Sequence, residues 1–286
     1  MKPVLLLLCQ VLFLLPLRAQ TPPAPALQNQ TPAQQSAPVP ISEEPHHRLV
    51  LQNDFIHVYN IMIPPLDATL LHRHDLPYLY VTLGQSDIVN AVAGKPETHL
   101  AFQDGEAHYT PAPFTHLVRT DSGLPFHNVT VELVHPQSNP RNLCKEVAPG
   151  LPVDCPTPAP PPAPAPLPNS SHKKKAPANN RNKAAAEPSV EVVPYFETDE
   201  VRVELFKVSA GHDYVESAPN IHALAIALTD ANLDAYLGGE HVSFLHAGEV
   251  LWMAAGQPRR IVDFLGTQSS FLLISLKDTA PRPAAQ

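Results

Sequence analysis

The chain has 286 residues, with 19 lysine and arginine residues against 27 aspartate and glutamate residues, so its formal net charge is −8. This acidic balance argues against nucleic acid as a general partner, because a phosphate backbone is bound by clustered positive charge. Proline is abundant, with 35 residues, and proline-rich stretches cannot bury enough apolar surface to form a core.

The first 19 residues, MKPVLLLLCQVLFLLPLRA, are typical of a secretory signal peptide. They contain an early lysine, an apolar run and a small residue at a suitable cleavage point. The run is short for a membrane span. We therefore expect an exported protein, periplasmic or extracellular, with no stable membrane span after cleavage; a retained N-terminal anchor is the alternative.

Cleavage of this segment leaves Cys144 and Cys155 as the remaining cysteines. In an oxidising compartment the pair can close a small disulfide loop. The alternative is two free thiols in a linker.

The proline-rich segments divide the rest of the chain. They predict a disordered Pro/Gln-rich segment at 20–45, a disordered Pro/Ala/Lys-rich linker at 137–190 and a short tail at 280–286. Two blocks remain, at 46–136 and 191–279. Both alternate apolar and polar residues and are rich in β-branched and aromatic residues, so the sequence predicts an all-β protein.

The two blocks also resemble each other. NDFIHVYNIMIPP, from Asn53, aligns with TDEVRVELFKVSA, from Thr198, at an offset of 145 residues. A shift of two then places Gly105 on Gly248, and Glu106 on Glu249. The alignment indicates one duplicated β domain, and a carboxylate present in both copies suggests a role in the turn.

Candidate chemistry begins with the segment LLHRHDLPYLYVTLG, from Leu70 to Gly84. On a strand, His72 and His74 point to the same side, and two such imidazoles form half of a metal site. The pair alone is also compatible with solvated or hydrogen-bonded histidines.

A second segment, GEAHYTPAPFTH, resembles the second motif of the cupin superfamily, G-x5-P-x-G-x2-H-x3-N. Gly105, Pro111 and His116 match that motif in register. Pro113 stands in place of the motif glycine and Thr120 in place of the asparagine.

The first cupin motif, G-x5-H-x-H-x3,4-E-x6-G, is matched at His72, His74 and Gly84, with Leu66 in place of the leading glycine. The short distance between the motifs is similar to that in small bacterial cupins. The resemblance covers the first block and extends loosely over the second, and it implies two small jelly-roll-like β-barrels joined by the linker.

The resemblance also implies a ligand set. His72, His74 and His116 would hold one divalent transition metal, either iron, manganese, zinc, nickel or copper. The alternative is a hydrogen-bonded polar cluster without metal.

The acid of the first motif is missing, because Tyr78 or Leu79 occupies its position. A site of three histidines without a carboxylate is similar to that of cupin thiol dioxygenases. Tyr78 and Tyr80 share the side of the histidines and would orient substrate or dioxygen; plain packing is the alternative.

The other histidines of the first block are expected to lie on the surface or in satisfied core positions, although His108 or His127 would line the cavity in a second interpretation. This group comprises His46, His47, His57, His99, His108, His127 and His135.

In the second block all three ligand positions are lost. The alignment places His72 on Ser217, His74 on Pro219 and His116 on Arg259. We expect this block to bind no metal and to pack against the first within one chain, or in a homodimer. An anionic ligand on Arg259 is the alternative, and Trp252 is expected in the core or at an interface.

Together these features favour an exported, metal-dependent cupin oxygenase that acts on a small molecule. Two alternatives stay open: a non-catalytic module that binds or senses a small ligand, and a structural protein of the cell envelope.

Overall fold

A computed structural model describes residues 37–155, 189–217, 219–234, 243–262 and 266–277. The predicted signal peptide, the central part of the predicted linker and the tail lie outside these residues. The described chain is built from strands, with one short 3-10 helix at Ile41–Glu43. Within these ranges there is no helix that is both long and apolar enough to cross a membrane.

Ten strands form the first block: β1 (Val39–Pro40), β2 (His47–Gln52), β3 (Ile56–Ile63), β4 (His72–His74), β5 (Tyr78–Leu83), β6 (Ser86–Val92), β7 (Thr98–Phe102), β8 (Ala107–Thr110), β9 (Phe114–Arg119) and β10 (Phe126–Leu133). The remaining strands are β11 (Asn142–Leu143), β12 (Val190–Thr198), β13 (Val201–Val208), β14 (Asp213–Glu216), β15 (His222–Ala227), β16 (Ala231–Asp234), β17 (Ser243–Leu245), β18 (Val250–Met253), β19 (Arg259–Val262) and β20 (Ser269–Leu276).

Each block is a sandwich of two sheets. The first block pairs its strands in the orders β1-β4-β9-β6-β7 and β2-β3-β10-β5-β8. The second block repeats these orders as β14-β19-β16-β17 and β12-β13-β20-β15-β18, with β11 added at the edge. The predicted all-β class is confirmed, and the matching strand orders support the predicted duplication.

The glycine positions of the cupin motifs require a left-handed backbone. Gly84 and Gly105 have φ values of 77° and 76°, and Leu66, which replaces the leading glycine, has φ of 61°. A residue with a Cβ adopts this conformation at a cost. The chain therefore keeps the motif's turn at Leu66 without its glycine.

The turn around Gly105 is repeated at Gly248. Glu106 accepts a hydrogen bond from the backbone N–H of Gln103 at 2.8 Å, and Glu249 accepts one from the N–H of His246 at 2.9 Å. Both glutamates therefore stabilise the same turn, as the alignment predicts.

Strand β10 places side chains on both faces of its sheet, one towards the second block and one towards the interior of the first sandwich. Its apolar residues Val129, Val131 and Leu133 belong to a core shared with the second block, which contributes residues such as Leu224 and Ile274. The intervening residues face the interior of the first sandwich, because strand side chains alternate. The facing sheets of the two blocks thus bury each other's apolar sides.

Contacts across this inter-block core are reciprocal. The ring of Phe55 stacks on Trp252 with centroids 5.7 Å apart, and the hydroxyl of Tyr109 donates to Glu200 at 3.1 Å. In the alignment Phe55 corresponds to Glu200, and Tyr109 to Trp252. The two contacts are therefore equivalent positions of a pseudo-symmetric pair.

The structure differs from the predicted linker over residues 137–155. Here β11 pairs with β12, and Cys144 forms a disulfide with Cys155. The fully buried side chain of Asn142 accepts hydrogen bonds from the N–H groups of Val147 and Ala148 at 3.0 and 2.8 Å. Proline content does not reveal such a loop, because a cross-link and one buried amide hold it.

The segment predicted to be disordered before residue 46 is also partly ordered. Strand β1 pairs in parallel with β4, with Val39 opposite His72. Residues 37–45 thus lie beside the histidine-bearing strand.

The close approach of the two blocks gives a stability prediction. A Cβ on Gly248 would lie 2.9 Å from Cδ1 of Leu83 and 3.2 Å from Cε1 of His127, whereas a Cβ on Gly94 meets no atom within 4 Å. Both glycines have positive φ, so Gly94→Ala should cost only backbone strain, about 1 kcal/mol. Gly248→Ala should cost about 1 kcal/mol more, because the side chains of Leu83 and His127 must also shift at the interface. Urea unfolding of both variants checks this, and equal losses would contradict the described packing.

Candidate metal centre

The three histidines of the cupin motifs lie together inside the first sandwich. His72 and His74 are on β4, and His116 is on β9, directly opposite His72. The ring centroids of His72 and His116 are 4.4 Å apart, and Nε2 of His116 lies 3.4 Å from Nε2 of His74. All three side chains are buried.

A fourth histidine, predicted from the sequence to lie on the surface or in the core, joins this cluster. His47 is on β2 of the opposite sheet, and its ring centroid is 4.6 Å from that of His72. One candidate ligand atom from each of His47, His72 and His74 lies within 4.8 Å of the other two. His47 belongs to neither cupin motif. The sequence feature that could have indicated its role is its position at the start of a predicted strand.

The outer nitrogens of three rings face hydrogen-bond acceptors. Nδ1 of His47 lies 2.5 Å from Glu44, Nδ1 of His72 lies 2.9 Å from the carbonyl of Leu70, and Nδ1 of His116 lies 2.9 Å from Oδ1 of Asn90. A backbone carbonyl oxygen can only accept, so His72 carries its proton on Nδ1 and its Nε2 lone pair faces the interior of the cluster. Nδ1 of His74 lies 3.6 Å from Glu132 and has no hydrogen-bond partner among the described residues.

One of these inner nitrogens has no hydrogen-bond partner. Nε2 of His72 is buried, and none of the described residues contacts it with a donor or acceptor. An unsatisfied buried nitrogen is costly. A divalent transition metal would occupy this lone pair, and imidazole nitrogen is a preferred ligand for such metals, so the residues present fit a metal ion.

Burial also removes the positive charge that would compete with a metal. Desolvation, followed by the charge of His47, lowers the pKa of His72 and of His74 to about 3. Burial, with the neighbouring His72, lowers the pKa of His116 well below its usual value. The three rings are therefore neutral near pH 7, which is the form that binds metals.

Two buried acids lie next to the cluster, although neither occupies the motif position. Burial raises the pKa of Glu132, whose carboxylate lies 3.5 Å from Nδ1 of His57. Burial alone would raise the pKa of Glu44, but hydrogen bonds from His47 and His46 outweigh it and lower this pKa to about 2. Both acids lie on the outer side of the cluster, and Glu44 fixes the imidazole of His47 through a hydrogen bond.

The histidines open into a cavity of about 70 Å³. A water molecule takes about 30 Å³ in the liquid, so this volume corresponds to roughly two waters and a ligand confined there is small. Its lining combines the four histidines with apolar and neutral polar side chains: Ile61, Ile63, Thr69, Tyr78, Tyr80, Ile88, Asn90, Leu100, Phe102, Thr110, Phe114, Val118, Phe126, Asn128 and Thr130.

Both predicted tyrosines line this cavity, while Leu79 belongs to the inter-block core. Tyr78 stacks on His74 with ring centroids 4.1 Å apart, and Tyr80 stacks on His108 at 4.9 Å. Burial raises the pKa of both phenols, so both keep their protons at neutral pH. His108 and His127 are not among the residues that line the cavity.

The second block carries an ion pair at the corresponding place. In strand register Glu216 is opposite Arg259, as His72 is opposite His116. The sequence alignment, which placed His72 on Ser217, was therefore one residue out of register. Nη1 of Arg259 lies 3.3 Å from Glu216. A charged pair thus stands where the first block has two histidines, and Arg259 already has an anionic partner.

The sheet order and the histidine cluster bear out the predicted resemblance to cupins. No protein-family model and no curated protein matches the sequence. Among solved structures, the chain is similar to a salicylate 1,2-dioxygenase from Pseudaminobacter salicylatoxidans, with 14% identity over 78% of this chain and 71% of that chain and a TM-score of 0.48.

Two other similar structures carry the cupin name. A cupin 2 conserved barrel domain protein from Leptotrichia buccalis has 10% identity over 81% of this chain and 88% of that chain, with a TM-score of 0.45. A cupin domain from Bordetella pertussis Tohama I has 21% identity over 30% of this chain and 90% of that chain, with a TM-score of 0.29.

The lowered histidine pKa values give a pH prediction for the metal-free protein. Below pH 6.5, unfolded chains protonate the two β4 histidines, whereas the folded protein keeps His72 and His74 neutral down to about pH 3. The free energy of unfolding should therefore decrease as the pH is lowered below 6.5, by up to about 1.4 kcal/mol per pH unit for each histidine. Urea unfolding from pH 7 to 5 should show a smaller slope in His72→Leu than in the wild type. Equal slopes would show that His72 has the same pKa in the folded and the unfolded chain, which would contradict the prediction.

Proposed function

We propose that the chain binds one divalent transition metal at the histidine cluster and acts on a small molecule held in the adjoining cavity. The observation that carries this proposal is the set of three buried neutral imidazoles, two of which, His72 and His116, have outer nitrogens hydrogen-bonded to acceptors. In particular, Nε2 of His72 is buried without a hydrogen-bond partner. A purely packing role leaves that nitrogen unexplained.

His72, His74 and His116 would hold the metal, which is iron, manganese, zinc, nickel or copper. Neutral nitrogen ligands leave both positive charges on the ion. When bound, such a metal supplies Lewis acidity and positions for a small ligand. His72 and His116 would be kept in place by the acceptors on their outer nitrogens, and His74 by its contact with Tyr78.

Tyr78 and Tyr80 would position the small molecule. Both line the cavity and keep their phenol protons at neutral pH, because burial raises each pKa. Their hydroxyls can therefore donate hydrogen bonds to an oxygen atom of a ligand. The stacking of Tyr78 on His74 also restrains that imidazole.

The reaction that best suits this arrangement is oxygenation of a small substrate. The cavity is lined by apolar side chains such as Phe102, Phe126 and Val118, and the three motif histidines are buried from solvent. A module that binds or senses a small ligand would use the same site without turnover. A structural envelope protein would need no unpartnered buried imidazole.

Export belongs to the same proposal. The N-terminal segment has the features of a signal peptide. The disulfide between Cys144 and Cys155 fits an oxidising compartment, since such bonds are rare in the cytosol.

Metal binding is tested by loading the chelator-treated full-length protein with each candidate metal and measuring its stoichiometry and thermal stability. We expect about one ion per chain and a higher melting temperature in its presence. His72→Ala combined with His116→Ala should abolish both effects, whereas the exposed His99→Ala should retain them. A wild-type protein that takes up none of the metals would overturn the proposal.

Catalysis is tested separately, by oxygen consumption of the metal-loaded protein with thiols, aromatic acids and diketones. Oxygen uptake that requires both metal and one substrate class supports an oxygenase. Tyr78→Phe and Tyr80→Phe should then reduce turnover while metal content stays near one per chain. Metal binding without oxygen uptake across the panel would favour the binding or sensing module.

A further inference from the structure

We propose that His47, fixed by Glu44, is a fourth protein ligand of the metal and takes the place of the acid that the first motif has lost. This inference rests on the proposed function. It concerns a residue outside both motifs, on a segment that precedes them in the chain.

The first support is the position of His47 across the sandwich. His72, His74 and His116 all belong to the sheet β1-β4-β9-β6-β7, whereas His47 lies on β2 in the opposite sheet. Its ring centroid is nevertheless 4.6 Å from that of His72 and 6.1 Å from that of His74. A metal bound to all four would join the two sheets of the first block.

The second support is the carboxylate behind the ring. Glu44 is only 2% exposed, and its Oε2 lies 2.5 Å from Nδ1 of His47. A carboxylate on the outer nitrogen fixes the tautomer and strengthens the inner nitrogen as a ligand.

The same carboxylate is coupled to a second ligand. Oε1 of Glu44 accepts a hydrogen bond from the backbone N–H of Leu70 at 3.1 Å, and the carbonyl of Leu70 accepts one from Nδ1 of His72 at 2.9 Å. One buried acid thus orients His47 directly and His72 through a single residue.

The other buried acid is a poorer replacement for the missing ligand. Glu132 approaches the outer nitrogen of His74, at 3.6 Å, and it also contacts His57 at 3.5 Å. From this position it faces the outer side of His74, makes no hydrogen bond to it and does not approach the inner nitrogens. His47 is therefore the group that replaces the missing motif glutamate, whose position Tyr78 occupies.

A structural consequence follows for the N-terminal segment. Strand β1 pairs with β4, and the N–H of Val39 donates to the carbonyl of Leu71 at 3.0 Å. If His47 binds the metal, residues 39–47 are held at both ends beside the site. Metal binding should then slow hydrogen exchange in this segment.

The test compares His47→Ala and Glu44→Gln with the control His99→Ala in the full-length protein. His99 is exposed on β7 of the same block. Cobalt(II) affinity is measured by competition with a chelator. We expect a loss of about 10–100-fold for Glu44→Gln, a larger loss for His47→Ala, and little change for His99→Ala. The cobalt absorption spectrum should change in His47→Ala, and added imidazole should restore both spectrum and affinity.

A second measurement does not depend on the variants folding well. In the wild-type protein, cobalt should reduce amide exchange at residues 39–47. The inference is wrong if His47→Ala keeps wild-type affinity and spectrum, or if the segment gains no protection on binding. In those cases His72→Ala with His116→Ala still abolishes binding and the proposed function stands. A wild-type chain that binds no metal would instead remove the proposed function.

Discussion

Hydrogen bonds on the outer nitrogens of His47, His72 and His116 are the interactions on which the site depends. They restrain the ring directions, and burial keeps the rings of His72 and His116 uncharged. Each acceptor comes from a different part of the first block: Glu44 beside the short helix, the carbonyl of Leu70 before β4 and Asn90 on β6. The surrounding sandwich is the framework that holds these acceptors in place.

The second block contributes to this framework without repeating the site. Alternation along β10 places Val129 and Val131 in the core shared between blocks, while Asn128 and Thr130 line the cavity. A lone sandwich would expose that apolar face to water. In the second block an ion pair between Glu216 and Arg259 stands where the first has its histidines. One copy of the duplicated domain thus provides the candidate site and the other covers its sheet.

The predictable part of the molecule is the part fixed by local spacing. Alternation gives the β class, and the turn at Gly105 and its repeat at Gly248 indicate the duplication. The motif histidines follow from spacing along two strands. The place of His47 was not predicted, because its contact with His72 joins two segments that are distant in the sequence and lie on opposite sheets. The order of residues 137–155 was not predicted either, because a disulfide and the buried amide of Asn142 hold this loop. Such tertiary contacts leave no periodic pattern in a single sequence.

The central claim is that the inner nitrogens of these histidines bind a metal. Its most direct test is an anomalous difference map from a crystal of the metal-loaded protein, collected at the absorption edge of the bound ion. The account predicts one strong peak among the Nε2 atoms of His72, His74 and His116, within ligand distance of each. A map without a peak inside the first sandwich, or with peaks only at surface histidines, would contradict it.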